Sequence, residues 1–341
     1  MNRPRPRPPV LHDDVDDFAV SNSWITNSVS GSLYHKASGM RVSPANGIEC
    51  DGREYKLCAT DVEFDDDGLL GAGASATVWR GRIRQTGTPV AVKSLRVEKS
   101  EDRALLLNEV RALMESEGCP HLVQWYAGFS TLDGQVHLVL ELMDAGNLAD
   151  LRNSVNGPLP PRVVACVALQ VLRGIDHLHS RRLLHNDIKP GNLLLNSRGE
   201  VKVTDFGIAK SLRQSLENTC IGTQIYLAPE KCDSSGYSLP ADIWSFGVVL
   251  FEFAAGTHPF STASSFPEIY AKLFREPEPR LSQEDGHPPA LCDLVALCLT
   301  RDVSQRATVG ELLVHDFVTI DVAPHTELCD WLAPPYRRMC L

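Results

Sequence analysis

Hydrophobic and polar positions in the first half of the chain predict a strand-rich region that contains one helix. Residues 68–80 have a strand, glycine turn, strand pattern, and the apolar runs 89–95 and 136–142 have the length of buried strands. Residues 101–116 instead repeat apolar side chains at helical spacing, with Ser100 as a candidate N-cap.

After Gly146 the apolar positions follow helical spacing. Residues 161–180, 241–255 and 289–299 each predict a helix. The most apolar of these segments is interrupted by Glu252. No segment reaches the roughly 18 apolar residues that a membrane span needs. The pattern therefore predicts an α+β fold without a membrane span, in which a strand-rich part precedes a larger helical part.

The first 63 residues have a different composition. Residues 1–9 are rich in Arg and Pro, an acidic patch covers 13–17, and Ser, Asn and Gly are frequent up to about residue 47. Such a composition supports little buried core. We therefore expect 1–63 to be a largely flexible extension.

Charge and cysteine content limit the classes of function. The chain has 33 basic and 43 acidic side chains and a net charge of -10, which excludes broad binding to nucleic acid or anionic membranes. The ten cysteines include no Cys-x-x-Cys pair, and the prolines after Arg3 interrupt any signal peptide. We expect reduced thiols in a cytoplasmic protein that could also enter the nucleus.

Two features of the strand-rich region could bind phosphate. The glycines in residues 70–78 would let backbone amides close over phosphate groups, although an ordinary hairpin loop has the same pattern. Lys93 ends an apolar strand, and Glu109 lies on the apolar face of the following helix. A buried ammonium requires such a partner, whereas an edge lysine would extend its charge into solvent.

The strongest chemical pattern is the sequence at 185–192, which Asp-Phe-Gly follows. Asn192 and Asp205 offer oxygen ligands of the kind that Mg²⁺ prefers. Asp187 can accept a proton from an incoming hydroxyl group. Lys189 supplies positive charge for a transferring phosphoryl group.

Together these motifs resemble the signature set of the eukaryotic protein kinases. The same resemblance extends to Ala228-Pro229-Glu230, to residues 242–247 and to Arg306, which in kinases pairs with the Glu of Ala-Pro-Glu. It covers residues 64–317 and implies a bilobal α+β kinase fold. The implied divisions are an N-lobe at 64–140, a hinge at 141–145, a C-lobe at 146–317 and a tail at 318–341.

The resemblance implies ATP and Mg²⁺ as cofactors. Lys93 would hold the α- and β-phosphates and pair with Glu109, and Asp187 would be the base for the substrate hydroxyl. Asn192 and Asp205 would hold magnesium. The remaining implied nucleotide contacts are Leu70, Gly71, Ala72, Gly73, Val78, Ala91, Leu140, Glu141, Met143 and Leu194.

Two positions depart from the family pattern. Ala76 replaces the third glycine of the loop, for which we expect a modest effect on nucleotide binding. Asn186 stands where kinases that are activated by loop phosphorylation usually have Arg. A neutral amide lacks the charged fork that binds phosphate, so the mode of activation stays open.

Ser215 and Thr219 form a Ser-x-x-x-Thr pair that resembles the dual phosphorylation site of MAP kinase kinases. The resemblance implies transfer of the ATP γ-phosphoryl group to Thr and Tyr in the activation loop of a MAP kinase. An upstream MAP kinase kinase kinase would then activate the enzyme at Ser215 and Thr219. The alternatives are a Ser/Thr kinase of a neighbouring STE-type branch and a pseudokinase scaffold.

Two terminal segments resemble docking peptides. Residues 327–332 are similar to the segment by which upstream kinases engage this family, although the same side chains could simply pack on the C-lobe. The N-terminal Arg3, Arg5 and Arg7, with the apolar residues that follow, resemble a docking peptide for a MAP kinase. An SH3 ligand and a solvated tail are the alternatives for this N-terminal segment.

Overall fold

The structure is a computed structural model of the 341-residue chain. It describes residues 24–27, 30–73, 76–97, 99–155, 157–206, 225–232, 238–263, 265–319 and 324–332. The chain forms two compact units, which are described one at a time. Among the described residues, the first unit contains those between 24 and 118 and those from 123 to 143, and the second contains 119–122 and those from 144 onward.

The first unit begins with an antiparallel sheet of five short strands in sequential order. The strands are β1 (Trp24–Asn27), β2 (Ser32–His35), β3 (Arg41–Ser43), β4 (Gly47–Cys50) and β5 (Arg53–Tyr55). Met40, Val42 and Ile48 are fully buried. The prediction of a largely flexible extension is therefore wrong for this part of 1–63. Strands of three or four residues give too little alternation to be recognised in the sequence. The segment with Arg3, Arg5 and Arg7 lies outside the described residues.

A second five-stranded antiparallel sheet follows, in the spatial order β6-β7-β8-β10-β9. Its strands are β6 (Val62–Ala72), β7 (Ala76–Ile83), β8 (Pro89–Arg96), β9 (Trp125–Ser130) and β10 (Gln135–Glu141). The predicted hairpin at 68–80 and the strands at 89–95 and 136–142 are confirmed. Strand β9 was not predicted, because Gly128 interrupts its short apolar run.

Helix α1 (Ser100–Glu115) connects β8 to β9 and matches the predicted helix closely. The predicted N-cap is wrong, because Ser100 is the first helical residue and Lys99 is the cap. The Lys99 N–H donates to the Asp102 carboxylate at 2.8 Å, which satisfies one of the free amides at the helix start. Glu109 and Val110 lie on the buried face of α1.

The second unit is mainly helical. Its helices are α2 (Leu148–Ser154), α3 (Pro161–Ser180), α4 (Pro229–Cys232), α5 (Leu239–Ala255), α6 (Phe266–Arg275), α7 (Pro289–Cys298), α8 (Val309–Leu313), α9 (Asp316–Thr319) and α10 (Pro324–Trp331). A small antiparallel sheet pairs β11 (Leu193–Leu195) with β12 (Val201–Val203). The predicted helices at 161–180, 241–255 and 289–299 are all present, and the predicted α+β class is confirmed.

Helices α3 and α5 contact each other and carry much of the core of this unit, including the fully buried Trp244 and Phe246. Each helix of the described residues is too short or too polar to cross a membrane.

The C-terminal helix α10 packs against α3. Leu328 is fully buried, Leu332 is nearly so, and the Cys329 thiol donates to the Ser197 carbonyl oxygen at 3.3 Å. These two leucines therefore pack on the helical unit, which is the alternative that the sequence left open for 327–332. A docking role for the same segment stays a prediction.

Candidate active site

The glycine loop lies between β6 and β7 in the first unit. The Gly73 N–H donates to the Ala76 carbonyl oxygen at 2.8 Å and closes the turn. Neither Gly71 nor Gly73 has a positive φ, and an added Cβ at Gly71 would meet no atom of the described residues within 4 Å. Backbone conformation and packing thus do not explain why residue 71 is a glycine. A ligand group close to the backbone would explain it, as the phosphate-binding hypothesis requires.

Lys93 lies on β8, a central strand that pairs with both β7 and β10. Its Nζ lies 2.6 Å from Oε1 of Glu109, and both residues are 6% exposed. The edge-lysine alternative is therefore excluded, and the predicted buried pair is present. The pair fixes an ammonium group, which can bind a phosphate, at a defined point of the sheet.

The loop before β11 carries a second group of charged and polar side chains. Oδ2 of Asp187 accepts hydrogen bonds from Lys189 Nζ at 2.8 Å and from Asn192 Nδ2 at 3.0 Å. Asn192 Nδ2 also donates to the Asp187 backbone oxygen at 2.8 Å. Since the amide nitrogen makes these bonds, Oδ1 of Asn192 is the atom suited to a cation.

The small sheet brings two predicted metal ligands to one of its ends. Leu193 pairs with Val203, so β11 begins where β12 ends, with Asn192 immediately before one strand and Thr204 after the other. The Thr204 N–H donates to the Asn192 carbonyl oxygen at 3.0 Å. Asp205 follows in the left-handed region, with a φ of 59°. The described residues contain no cluster of three or more His, Cys, Asp or Glu side chains able to hold a metal.

His185 connects the two loops. Its Nε2 donates to the Thr204 carbonyl oxygen at 2.8 Å, and its Nδ1 accepts from the Asp187 N–H at 3.2 Å. Burial lowers the pKa of His185, so the neutral ring that these bonds require is favoured. The ring lies edge-on to Phe206, with centroids 6.5 Å apart.

A buried carboxylate fixes the backbone before Asp187. Asp242, on α5, is fully buried and accepts from the His185 N–H at 2.9 Å and the Asn186 N–H at 2.8 Å. Burial opposes ionisation, but the hydrogen bond and charge of His179 hold the pKa of Asp242 well below its usual range. Sequence reasoning assigned no role to Asp242. The signal was an acidic side chain in an otherwise apolar stretch of helix.

Sequence reasoning also missed Lys231. This side chain is 3% exposed, and its Nζ donates to the Asn186 carbonyl oxygen at 3.1 Å. Asn186 has a φ of 67°, and its side-chain Oδ1 is buried with no partner in the part of the chain that the structure describes.

Arg306 and Glu230 form a buried bidentate ion pair. The nitrogen–oxygen distances are 2.6 Å for Nη1–Oε1 and 3.0 Å for Nη2–Oε2. The predicted pairing of these two residues is confirmed.

The chain matches the protein kinase domain over residues 64–318. It belongs to the protein kinase family. It is 32% identical to mitogen-activated protein kinase kinase 3 of Arabidopsis thaliana over 315 residues. These aligned residues make up 90% of this chain and 60% of that protein. It is 36% identical over 274 residues to mitogen-activated protein kinase kinase 1 of the same plant. These residues make up 78% of this chain and 76% of that protein.

Human dual specificity mitogen-activated protein kinase kinase 7 is 31% identical over 289 residues, which cover 82% of this chain and 68% of that protein. These relatives confirm the resemblance to MAP kinase kinases. The chain spans about three fifths of the length of the Arabidopsis kinase kinase 3.

The remaining kinase positions are distributed over both units. In the first unit, Leu70 is exposed, Val78 is half-buried, and Ala91, Leu140 and Met143 are buried. The Glu141 carboxylate accepts from the Gln124 N–H at 3.3 Å, and Leu194 lies half-buried on β11 of the second unit. Their roles as nucleotide contacts stay predictions. Ser215 and Thr219 lie outside the described residues.

Proposed function

We propose that this protein kinase is a MAP kinase kinase of dual specificity. It transfers the γ-phosphoryl group of ATP to Thr and Tyr in the activation loop of a MAP kinase. The observation that carries the catalytic part of the proposal is the Asp187 carboxylate, held between Lys189 and Asn192. The similarity to human dual specificity mitogen-activated protein kinase kinase 7 supports the dual specificity.

The side chains suit the reaction as follows. Asp187 accepts the proton of the attacking hydroxyl group, and Lys189 offsets the negative charge that develops on the phosphoryl group. Lys93 binds the α- and β-phosphates, and Glu109 keeps its ammonium group in place. ATP supplies the phosphoryl group, and Mg²⁺ neutralises phosphate charge.

Asn192 and Asp205 would hold the magnesium ion. Magnesium sites of kinases commonly combine one or two protein oxygen ligands with substrate phosphates and water. Two protein oxygens at one end of the small sheet are consistent with such a site and do not require a larger cluster of carboxylates.

A pseudokinase scaffold is less well supported. Such a protein does not need to retain the catalytic groups, yet the Lys93–Glu109 pair and the Asp187 network are both complete. Retaining a buried ion pair without a function carries a large desolvation cost.

We also propose that a MAP kinase kinase kinase activates the enzyme by phosphorylating Ser215 and Thr219. A cytoplasmic location, where both partners would meet it, belongs to the same proposal. Full activation would then require both hydroxyl groups. Ser215→Ala and Thr219→Ala should each reduce the activation that an upstream kinase produces, and the double substitution should abolish it.

The substrate class is tested with the full-length protein, Mg²⁺-ATP and catalytically inactive MAP kinases. The Ser215→Asp/Thr219→Asp variant serves as the activated enzyme, and Asp187→Ala as the control. Phosphosite mapping should find both Thr and Tyr of one activation loop. Phosphate only on Ser and Thr of general substrates would favour a neighbouring STE-type kinase, and no transfer would favour the scaffold.

A further inference from the structure

The sheet β1–β5 packs onto strand β9. An added Cβ at Gly128 of β9 would lie 2.6 Å from Cδ1 of Ile48, so the two layers approach each other closely. The Ser130 hydroxyl donates to the Gly31 carbonyl oxygen at 2.7 Å across the same contact. Just after β5, Leu57 packs against the buried cluster around Phe129. The small sheet is therefore attached to the kinase sheet along its length.

The last strand of this small sheet reaches the C-terminal end of α1. Glu117 lies two residues after α1, and its N–H donates to the Met114 carbonyl oxygen at 3.3 Å. The Glu117 carboxylate accepts from Arg53 Nη1 at 2.9 Å and from the Tyr55 hydroxyl group. Two donors from β5 thus hold one carboxylate at the helix end.

The Tyr55 ring makes a second contact. It stacks on Trp125 with ring centroids 3.9 Å apart and an interplanar angle of 28°. Trp125 is the first residue of β9, and its indole Nε1 donates to the Ala127 carbonyl oxygen at 2.6 Å. A single tyrosine side chain thereby contacts both the end of α1 and the start of β9.

The position of the end of helix α1 affects Lys93, because the helix carries the Glu109 partner of this lysine. Glu109, which pairs with Lys93, precedes the last helical residue, Glu115, by six residues, or about 9 Å along the helix. A helix moves as a rigid element, so a shift at its end displaces Glu109. Misplacement of a catalytic group by about 1 Å can reduce a rate by about 100-fold.

We propose that Tyr55 is a positioning residue for phosphoryl transfer. Its hydroxyl group holds the end of α1 through Glu117, and its ring sets that end against Trp125. Arg53 supports the same carboxylate. The small N-terminal sheet is then a working part of the kinase, because it keeps Glu109 in place to hold Lys93.

The test compares Tyr55→Phe with Tyr34→Phe in the full-length protein. Tyr34 lies on β2 of the same sheet and is a matched control. The Arg41 guanidinium carbon lies over the Tyr34 ring, 5.2 Å from the ring centroid. Tyr55→Phe should reduce kcat/KM for ATP by about three- to tenfold, as expected for loss of one hydrogen bond. Tyr55→Ala, which also removes the stacking on Trp125, should reduce it further.

Two readouts separate positioning from general loss of structure. Amide hydrogen exchange across residues 105–115 should accelerate in Tyr55→Phe and not in Tyr34→Phe, at a temperature where both remain folded. Glu117→Gln, which also removes the charge that Arg53 binds, should change exchange at least as much. Tyr55→Phe/Glu117→Gln should be no worse than the more impaired single variant, because both substitutions act on the same Tyr55–Glu117 hydrogen bond.

Normal exchange in α1 together with normal kcat/KM in Tyr55→Phe would overturn the proposal. So would an additive loss in the double variant. The inference rests on kinase activity and not on the class of substrate. Hydrogen exchange is measured without substrate, so its result stays distinct from the outcome for the proposed function.

Discussion

Lys231 donates a hydrogen bond from its ammonium Nζ to the backbone carbonyl oxygen of Asn186, over 3.1 Å. Asp242 accepts from the N–H of that same residue at 2.8 Å. The peptide groups on both sides of Asn186 are therefore held by buried charges, immediately before Asp187, the proposed catalytic base. Since Asn186 has a φ of 67°, these bonds stabilise a backbone conformation that few residues adopt.

Replacement of Lys231 by Met should reduce kcat by about tenfold or more, since a charged hydrogen bond contributes about 1.5–3 kcal/mol. KM for ATP should change little, because Lys93, which is proposed to bind the phosphates, belongs to the other unit. Steady-state kinetics checks this. Lys231→Arg keeps the charge and a donor and should retain more activity. Equal kcat for the Met variant and the wild type would contradict a positioning role.

Asn186→Arg should increase the response to phosphorylation. Arginine offers a charged fork for a phosphate of the activation loop, whereas asparagine offers only a neutral amide. The measured quantity is the ratio of kcat with and without phosphate on Ser215 and Thr219, and it should rise several-fold. Asn186→Gln, which adds length without charge, is the control. An unchanged ratio in the Arg variant would show that loop phosphate is recognised elsewhere.

Substitutions in the Lys93–Glu109 pair should affect the unfolding free energy and the catalytic rate differently. Glu109→Gln leaves a buried ammonium without its counter-charge, and breaking such a pair costs about 3–5 kcal/mol of unfolding free energy. The double variant Lys93→Met/Glu109→Leu should recover much of that free energy in urea denaturation, yet remain inactive. Recovery of phosphoryl transfer in the double variant would refute the assigned role of Lys93.

Acid should destabilise the second unit through His258. Burial lowers the pKa of His258 to about 4, and its Nδ1 accepts from the Phe260 N–H at 3.1 Å, as a neutral ring does. Between about pH 6.5 and 4 the unfolded chain binds a proton that the folded chain does not. The unfolding free energy should therefore decrease as the pH is lowered from about 6.5 to 4, by up to about 3 kcal/mol from this residue.

Urea denaturation at pH 7.5 and 5.0 measures this dependence. His258→Asn keeps an acceptor for the Phe260 N–H but cannot be protonated, so its stability should fall less. Burial also lowers the pKa of His137 and His185, and part of the dependence should therefore remain in the variant. A variant that loses as much stability as the wild type would contradict the assignment to His258.

Local patterns in the sequence predicted the long elements and the charged side chains of the candidate active site. Helix α3 has the bounds that its apolar spacing indicates, and Lys93 meets Glu109 as the strand and helix patterns require. The small N-terminal sheet was not predicted, because its short strands are buried against β9, which is distant in sequence.

Asp242 and Lys231 both bind the backbone of Asn186, which lies 56 positions before Asp242 and 45 positions before Lys231. No local pattern reveals contacts over such separations. Their signal was chemical. A carboxylate in an apolar helix, or a lysine beside Ala-Pro-Glu, needs a buried partner. The identity of that partner follows only from the fold.

The most direct test of the central claim is the phosphorylation stoichiometry of one catalytically inactive MAP kinase. The Ser215→Asp/Thr219→Asp enzyme with Mg²⁺-ATP should add two phosphates to one activation loop, on Thr and on Tyr, by intact mass and site mapping. Asp187→Ala in the same background should add none. Transfer restricted to Thr or Ser, or transfer that persists in the Asp187→Ala variant, would contradict the account.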